Sequence, residues 1–323
     1  MLIGITYDLV DDYLAAGATP EQAAAFTTPG TIDALEAAFA LYGHDVERIG
    51  NLLALGKALA DGKRWDLVFN LSAGAAGIAR EAQVPALLEA HGIPFTFSTA
   101  DVLVVSLDKA LAKLVVKAAG VPTPDFAVVR NMRDLQRLNM PFPLFVKPLA
   151  ESGGKGVTAA SRVTDKATLA NRCIDVLKLW HQPALVEAYL PGREFTVGIV
   201  GTGPSAHAIG TCEIKFGGEE DRQVYSFRTR TEGQATLSPV HGDMAAAIED
   251  VAVRAWRALG CRDAGKVDIR YDVWSKPFFV EANPIAGLRP GESDFVVLAE
   301  HSGFSFDSLI GLILDEATGR VKG

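Results

Sequence analysis

The sequence predicts an α/β fold, with an N-terminal domain built on a doubly wound parallel sheet and two α+β lobes after it. Apolar strand candidates alternate with helical patterns over roughly the first hundred residues, and strands are more frequent in the last third. The chain has 323 residues, of which 49% are hydrophobic, enough to bury the cores of two or three domains. No internal repeat or low-complexity linker interrupts it, so we expect the domains to pack tightly.

The first domain, predicted over residues 1–101, reads as strand, helix, strand, helix, strand. Its strand candidates are 2–6, Asp66–Asn70 and 93–97, and its helices are Thr31–Tyr42 and Arg80–His91. Ligands approach such sheets at the carboxyl ends of the strands. The small-residue loop Asn70–Gly77 is therefore a candidate substrate mouth, unless its glycines serve only the turns.

The central lobe is predicted over residues 102–190 and the C-terminal lobe over residues 191–323. The central lobe begins with a helix over Leu107–Gly120, which V-P-T-P-D ends because proline interrupts helices. The remaining predicted helices are Met132–Asn139, Lys166–Trp180, Asp243–Leu259 and one from about Phe306, and the strands include 126–130, 143–148 and two strands joined by a turn over 184–200.

A predicted hairpin near the C-terminus contains the candidate metal ligands. Its strands are Lys266–Asp272 and Pro277–Asn283, and residues two apart in a strand point to the same face. Lys266, Asp268 and Arg270 therefore share one face of the first strand, and Phe279, Glu281 and Asn283 share one face of the second. Pairing the strands brings Asp268, Glu281 and Asn283 together as oxygen ligands suited to Mg²⁺, which takes one or two carboxylates plus nucleotide phosphates. The alternative is a surface hairpin with scattered charges.

A glycine-rich loop follows a strand that is apolar except for Lys147. Gly153, Gly154 and Gly156 permit an anion-binding concavity of backbone N–H groups, and Lys155 adds charge, although a plain turn explains the loop equally well. The loop does not match the G-x-x-x-x-G-K-[ST] phosphate motif. Lys147 either reaches solvent or meets a buried anion.

Two glutamates form a second pair of candidates. Glu187 and Glu194, in the run L-V-E-A-Y-L-P-G-R-E, are placed to accept an adenine amino group and ribose hydroxyls, or are ordinary surface residues.

Composition excludes several classes of function. A net charge of −8 without a basic run argues against a nucleic-acid partner, and no apolar run reaches the ~18 residues that span a membrane. The start lacks the basic region of a signal peptide. Three scattered cysteines and six histidines without metal spacing predict free thiols and no zinc, as in a cytoplasmic protein.

Five stretches, in this order, resemble the D-alanine–D-alanine ligase family of the ATP-grasp superfamily. They are E-A-Q-V-P-A-L-L-E-A-H-G-I-P, S-L-D-K-A-L-A-K, F-P-L-F-V-K-P with S-G-G-K-G, L-V-E-A-Y-L-P-G-R-E-F-T-V, and A-L-G-C-R-D-A-G-K-V-D with V-E-A-N-P. The resemblance implies an ATP-grasp fold in which the two later lobes enclose the nucleotide. It also implies a homodimer.

The resemblance assigns a role to each candidate residue. Lys109 and Lys147 would hold the α- and β-phosphates, with the Ser152–Gly156 loop, which includes Ser152, Gly153, Gly154, Lys155 and Gly156, as a lid over them. Glu187 with backbone groups of Tyr189 and Leu190 would bind adenine, and Glu194 the ribose. Asp268, Glu281 and Asn283 would hold two Mg²⁺ ions, or Mn²⁺. Lys266 would stabilise the oxyanion with help from Arg270, Arg230 would reach the γ-phosphate, and Ser293 would receive the second substrate's carboxylate, with Arg289 as its rival.

Three departures from the family pattern concern the substrates. The first loop lacks the family's amine-capturing Glu, for which Asp8, Asp11 or Asp12 are substitutes unless the first substrate differs. The family's H-G-x-x-G-E-D-G loop has lost its His, and Arg80–Glu81 stand where two acids would. Arg80 either binds a substrate carboxylate or is solvated. Lys266 replaces an Arg and loses its planar fork.

The implied activity is an ATP-dependent carboxylate–amine ligase that joins two amino-acid-like substrates through an acyl phosphate and releases ADP and phosphate. A genuine D-alanine–D-alanine ligase of cell-wall synthesis is the alternative, and specialised metabolism is the favoured setting. A regulatory nucleotide binder without catalysis and a kinase-like phosphotransferase are the other readings. The complete set of metal ligands argues against the regulatory binder.

Overall fold

A computed structural model describes residues 1–217 and 224–322 of the chain and shows three sheets, one in each predicted domain range. The first sheet is parallel in the order β2-β1-β3. The predicted domain boundaries remain predictions. The elements of the first range are β1 (Leu2–Thr6), α1 (Val10–Ala15), α2 (Pro20–Ala23), α3 (Pro29–Leu41), β2 (Asp45–Gly50), α4 (Leu52–Ala60), β3 (Leu67–Asn70), a 3₁₀ turn (Arg80–Ala82) and α5 (Gln83–Ala90).

Two details of this first sheet differ from prediction. The segment 93–97 is not a strand, because only Phe95 pairs with the sheet, through a single parallel bridge to Val68. β2 instead supplies the third strand. β2 contains charged residues and is partly exposed, as is typical of an edge strand. Because it lacks the apolar alternation from which strands are recognised, the sequence did not predict it.

The central lobe carries an antiparallel sheet in the order β4-β7-β5-β6. The predicted helix Leu107–Gly120 is α7, which begins at Lys109 because the Asp108 side chain accepts hydrogen bonds from the backbone N–H groups of Ala110 and Leu111 at 3.0 Å and so caps it; Leu107 is the last residue of a separate helix, α6. The elements are α6 (Ala100–Leu107), α7 (Lys109–Ala118), β4 (Phe126–Val129), α8 (Met132–Gln136), β5 (Leu144–Pro148), a 3₁₀ turn (Ala159–Ser161), β6 (Arg162–Val163), α9 (Lys166–Leu179) and β7 (Ala184–Ala188).

The C-terminal lobe carries a five-stranded antiparallel sheet in the order β10-β9-β8-β11-β12. α11 and α7 pack against this sheet around the buried Trp256 and Val116. The elements are β8 (Glu194–Val200), a 3₁₀ turn (Gly203–Ser205), β9 (His207–Phe216), α10 (Phe227–Thr231), β10 (Ala235–Pro239), α11 (Asp243–Leu259), β11 (Ala264–Tyr271), β12 (Pro277–Asn283), α12 (Asp294–His301) and α13 (Phe306–Lys322).

The first and last parts of the chain share one hydrophobic core. Ile5 and Phe39 of the N-terminal domain belong to the same buried cluster as Leu309 and Ile313 of α13. Asp263 and Arg320 add an ion pair of 2.6 Å between Oδ2 and Nη2, and Asp263 also accepts the N–H of Phe97 at 2.7 Å. These contacts fix the N-terminal sheet against the sheet that carries the predicted metal cluster.

Cys173, Cys212 and Cys261 are free and buried. In the described ranges, no single helix is long and apolar enough to cross a membrane; α12 and residues Phe306–Val321 satisfy that test only as a pair bent by 106°.

Candidate active site

The hairpin of β11 and β12 brings the predicted metal ligands together. Lys266 pairs with Asn283 and Asp268 with Glu281, so all four side chains meet on one face at the end of the ladder. A bulge follows, since Ile269 pairs with Phe279 rather than Val280. The predicted face of Phe279 is therefore wrong. The extra residue reverses the alternation, and Phe279 packs fully buried in the core while Val280 faces the cavity described below.

The cluster is a compact set of oppositely charged groups. Lys266 Nζ lies 2.8 and 2.7 Å from the two carboxylate oxygens of Asp268, and Asn283 Nδ2 lies 3.3 Å from Asp268 Oδ2. Lys109 Nζ lies 2.9 Å from Glu281 Oε2. Burial alone raises the pKa of Glu281, but the charges of Lys109, Lys147 and Lys266 overcome it and lower the pKa to about 2. The Glu281 carboxylate is thus ionised and available as a ligand.

The donor set fits Mg²⁺ in company with phosphates. Within residues 1–217 and 224–322, no three His, Cys, Asp or Glu side chains come together as a metal site. The cluster has two carboxylates, from Asp268 and Glu281, and the amide of Asn283. Mg²⁺ is usually bound in this way, with one or two carboxylates and the rest of its shell from nucleotide phosphates and water.

A first cavity, which we call the nucleotide cavity, opens beside this cluster between the central and C-terminal sheets. Its volume is about 70 Å³. Of the predicted nucleotide and metal residues, Ser152, Gly156 and Asn283 do not line it. Those that do are Lys109, Lys147, Gly153, Gly154, Lys155, Glu187, Tyr189, Leu190, Glu194, Asp268 and Glu281.

Ion pairs connect the predicted residues of the nucleotide cavity to one another. Lys147 Nζ lies 2.7 Å from Glu187 Oε1, and Arg270 Nη1 lies 3.0 Å from Glu194 Oε2. Arg270 lines this cavity and also lies 5.5 Å from the Tyr189 ring centroid. Arg270 therefore lies in the nucleotide cavity beside Glu194, and its predicted help to Lys266 at the oxyanion stays a prediction.

The sequence reasoning missed Lys113, which is completely buried. Its Nζ lies 3.1 Å from Glu187 Oε2 and donates to Thr123 Oγ1 at 3.1 Å. Burial lowers the pKa of Lys113 to about 8, despite the opposing charge of Glu187. The signal was present, because Lys109 and Lys113 are four apart in S-L-D-K-A-L-A-K and so lie on one helix face.

The glycine-rich loop is held by both neighbouring domains. All three of its glycines have positive φ, and a Cβ on Gly154 would lie 2.8 Å from the backbone of Ser226. The N–H of Phe227 donates to the Gly154 carbonyl at 3.1 Å, and the N–H of Gly156 donates to Glu21 Oε1 at 2.8 Å. The loop therefore spans the space between α2 and α10.

The lysine of this loop is paired next to the N-terminal domain. Lys155 Nζ lies 2.5 Å from Glu151 Oε2, and Arg80 Nη2 contacts the same oxygen at 3.1 Å and the Ala150 carbonyl at 3.0 Å. Arg80 therefore secures the start of the loop. It is not solvated, and its side chain does not line the larger cavity where a substrate carboxylate would be received.

That second cavity, which we call the substrate cavity, has a volume of about 570 Å³ and adjoins the first. Gly153, Lys155 and Lys266 line both. Ser152, Asn283 and the three candidates Arg230, Ser293 and Arg289 line only this one. Ser293 Oγ accepts the N–H of Arg289 at 3.0 Å, and Arg289 Nη2 donates to the Phe26 carbonyl at 2.9 Å.

The acids proposed to replace the missing amine-capturing Glu do not reach this cavity. Asp8 is buried, accepts the Tyr13 hydroxyl at 2.6 Å and the Gly74 N–H at 3.0 Å, and lines neither cavity. Asp11 and Asp12 are exposed and also absent from the lining. Glu81, whose role the sequence left open beside Arg80, does line the substrate cavity.

Comparisons with known proteins place the chain in a family. A family model described as "D-ala D-ala ligase C-terminus" matches residues 115–315. An uncharacterized protein, y4sG, of Sinorhizobium fredii is 32% identical over 264 residues, which cover 80% of this chain and 76% of that one. A D-alanine–D-alanine ligase of Bordetella petrii is 32% identical over 237 residues, 72% of this chain and 71% of that one.

Among solved structures, similar folds occur at low sequence identity. The D-alanine–D-alanine ligase of Bacillus anthracis complexed with ATP has a TM-score of 0.76 at 20% identity, and each chain is covered completely. The VanG D-Ala:D-Ser ligase of Enterococcus faecalis has a TM-score of 0.70 at 18% identity, covering 98% of this chain and 99% of that one.

Proposed function

The chain belongs to the D-alanine–D-alanine ligase family of ATP-grasp enzymes, and we propose that its two adjoining cavities hold MgATP and two amino-acid-like substrates. The predictions of the family, of the ATP-grasp fold and of an ADP-forming enzyme are confirmed. The protein is an ATP-dependent ligase that forms an amide bond.

One observation carries the assignment of the cavities. Lys266 lines both, and it lies within 3 Å of Asp268, beside Glu281 and Asn283. A γ-phosphate held at this cluster would face the substrate cavity. Phosphoryl transfer mainly requires that the protein position the reacting groups and neutralise their charge. Both requirements can be met where the two cavities meet.

The nucleotide would be held by residues of the first cavity. Lys109 and Lys147 would bind the phosphates, with the loop around Gly154 as their cover. Glu187 with the Tyr189 and Leu190 backbone would receive adenine. Lys147 would then exchange Glu187 for phosphate, while Lys113 continues to neutralise that carboxylate at 3.1 Å.

Glu194 would bind the ribose and Arg270 would orient it, since the two already form an ion pair. Asp268, Glu281 and Asn283 would hold Mg²⁺. When bound, Mg²⁺ neutralises charge on the phosphate oxygens.

In the proposed reaction, the carboxylate of the first substrate attacks the γ-phosphate and forms an acyl phosphate and ADP. The amine of the second substrate then attacks the carbonyl, and the tetrahedral intermediate expels phosphate. Lys266 would stabilise the oxyanion, a role in which loss of one donor costs ~3–4 kcal/mol. Arg230 would contact the γ-phosphate and Ser293 the second carboxylate. The Gly-rich loop would exclude water from the acyl phosphate.

A genuine D-alanine–D-alanine ligase is the second candidate, because several curated relatives carry that name. ADP release with MgATP and D-alanine alone, with detection of the dipeptide by mass, separates the two candidates. Turnover to the dipeptide establishes the second candidate. No ADP with D-alanine, in a protein that still binds ATP, excludes it and leaves the ligase with other substrates.

Replacing Asp268 tests the site itself. We expect Asp268→Asn to lower ADP formation at least ~100-fold, since it removes both a metal ligand and the partner of Lys266. Asp250→Asn, on the exposed face of α11, is the control and should retain full activity. Equal activity in both variants would contradict the assigned site. ADP formed without an amine acceptor, together with a stable phosphorylated product, would point to a phosphotransferase instead.

A homodimer, a cytoplasmic location and the absence of nucleic-acid partners stay predictions. Light scattering of the purified protein would test the first of them. A mass of twice 34.3 kDa is the expected result.

A further inference from the structure

The walls of the substrate cavity are largely apolar on one side. Its volume of about 570 Å³ lies within the range of ~300–1,000 Å³ found for pockets that hold drug-sized ligands. Most of the apolar lining belongs to the N-terminal domain. It includes Val10, Leu14, Ala23, Phe26, Leu71 and Ala73. Alanine offers only one methyl group to such a wall, whereas leucine or phenylalanine offers a larger apolar surface to bury.

The segment that forms this wall is fixed in place. Leu9 and Thr27 form a parallel bridge, and the N–H of Thr27 donates to the Asp8 carbonyl at 2.9 Å. The rings of Tyr13 and Phe26 stack with centroids 4.0 Å apart. The Asp8 carboxylate, which the sequence offered as an amine receptor, is used to anchor the segment through Tyr13 and Gly74.

The charged groups that line this cavity differ in how they are partnered. Lys155 pairs with Glu151, Lys266 with Asp268, and Arg289 with the Phe26 carbonyl and Glu292. Among the described residues, Glu81 has no hydrogen-bond or ion-pair partner, although it is partly buried. Burial raises the pKa of Glu81, and the nearby charges of Arg80, Lys155 and Lys109 do not cancel that effect.

We propose, on the basis of the ligase function above, that the first substrate is an amino acid with a large apolar side chain, held by the wall of Leu14, Ala24 and Phe26, and that Glu81 receives its ammonium group. Glu81 and this wall both belong to the N-terminal domain, whereas Ser293 and Arg289, the candidates for the second carboxylate, come from the segment that follows β12 in the C-terminal lobe; Arg289 reaches the wall at the Phe26 carbonyl. An ammonium ion would give Glu81 the partner that it lacks. The substrate's carboxylate would then point toward Lys266.

Hydroxylamine separates the first substrate from the second. It attacks the acyl phosphate, forms a C–N bond and expels phosphate, so a hydroxamate appears whichever natural amine the enzyme uses. With MgATP and both enantiomers of alanine, leucine and phenylalanine, we expect KM for leucine or phenylalanine to be at least ~10-fold below that for alanine, as burial of several methylenes requires. Calorimetry with MgADP present measures Kd for the same amino acids without turnover. We expect leucine and phenylalanine to bind more tightly than alanine there as well.

Two variants test the two parts of the proposal. Ala24→Leu narrows the cavity and should raise KM or Kd for phenylalanine at least ~10-fold while that for alanine changes less than ~2-fold. Its control is Ala15→Leu, which lies exposed on α1 and does not line the cavity.

Glu81→Gln should weaken the binding of phenylalanine ~10–100-fold, as loss of a hydrogen bond between charged groups does. The binding of hydrocinnamate, which is phenylalanine without its amine, should be unchanged. Glu300→Gln, at an exposed position on α12, is the control.

The outcomes distinguish this inference from the proposed function. If leucine and phenylalanine bind no better than alanine, the large-side-chain pocket is refuted even when ADP forms. If Glu81→Gln weakens hydrocinnamate as much as phenylalanine, or if Glu292→Gln has the expected effect in its place, the ammonium assignment is refuted. Failure of every acid to yield ADP or hydroxamate would refute the proposed function, while the binding order would still decide the inference.

Discussion

The buried charges of Lys113 and Glu187 should show strong energetic coupling. Their two pKa shifts imply opposite contributions to stability at neutral pH. Burial lowers the pKa of Lys113 to about 8, whereas the charges of Lys113 and Lys147 outweigh burial and lower the pKa of Glu187 to about 2. Both shifts contain the same attraction between Lys113 and Glu187, so they do not add; their opposite directions show that the cost of burying the two charges and the gain from pairing them oppose each other. Buried ion pairs often balance in this way, although loss of one partner costs ~3–5 kcal/mol.

We therefore expect a large coupling energy in a double-mutant cycle. Lys113→Met should lower the free energy of unfolding by ~2–3 kcal/mol, less than the full penalty because Lys147 remains 2.7 Å from Glu187. Glu187→Gln leaves two buried lysines without a carboxylate and should cost ~3–5 kcal/mol. The double variant should be destabilised by only about 2 kcal/mol, because no charge of the pair is then left uncompensated.

Urea unfolding followed by circular dichroism measures the cycle. Lys117→Met, an exposed lysine one turn further along α7, is the control and should change stability by less than ~0.5 kcal/mol. If the two single effects simply add in the double variant, or if Lys113→Met is neutral, the proposed balance of charges is wrong. ATP binding gives a second readout. Without Lys113, Lys147 alone must neutralise Glu187, so KM for ATP should rise ~10-fold or more.

Three further predictions concern the loop, a helix cap and acid stability. Gly154→Ala places a side chain at a positive-φ position with its Cβ 2.8 Å from the backbone of Ser226, so we expect kcat/KM for ATP to fall more than ~10-fold. Gly62→Ala is the control: Gly62 also has positive φ but open space around it, so this variant should change only stability. Asp108→Ala removes the cap of α7 and should lower the unfolding free energy by ~1 kcal/mol in urea titrations, and no loss would show that the cap is dispensable. Stability supplied by the depressed pKa of Glu187 is present above its ordinary value of 4.5 and lost as the pH falls toward about 2, so the slope of unfolding free energy against pH in that window should flatten in Glu187→Gln.

Period and spacing within single elements were enough to predict the hairpin ladder. The alternation of Lys266, Asp268, Glu281 and Asn283 placed these four residues on one face, as the ladder shows. The bulge beside Val280 was beyond such reasoning, because nothing in the local pattern marks the extra residue. It follows from how Phe279 fills the core against α7, which is a tertiary requirement.

Partners across domains were equally hidden from the sequence. Arg80 binds the start of a loop that lies 70 residues away in the chain, and Glu21 binds the same loop from 135 residues away. Both contacts depend on how the N-terminal domain packs on the others. Sequence spacing carries information about neighbours on one helix or strand, as for Lys109 and Lys113, but not about contacts between domains.

Reaction class and substrate choice therefore rest on different parts of this chain. The groups proposed for phosphoryl transfer lie on regular elements, where Asp268 and Glu281 are fixed by a ladder and Lys147 by a central strand. The proposed substrate wall lies on the short helices α1 and α2, whose anchor is Asp8. Asp8, an acid in the first loop, thus has a structural role, and in the proposal above Glu81 binds the amine instead. Changes in α1 and α2 would then alter which acid is activated, while the phosphoryl-transfer groups stay in place. For this reason the family of the relatives predicts the reaction of this chain better than it predicts the substrate.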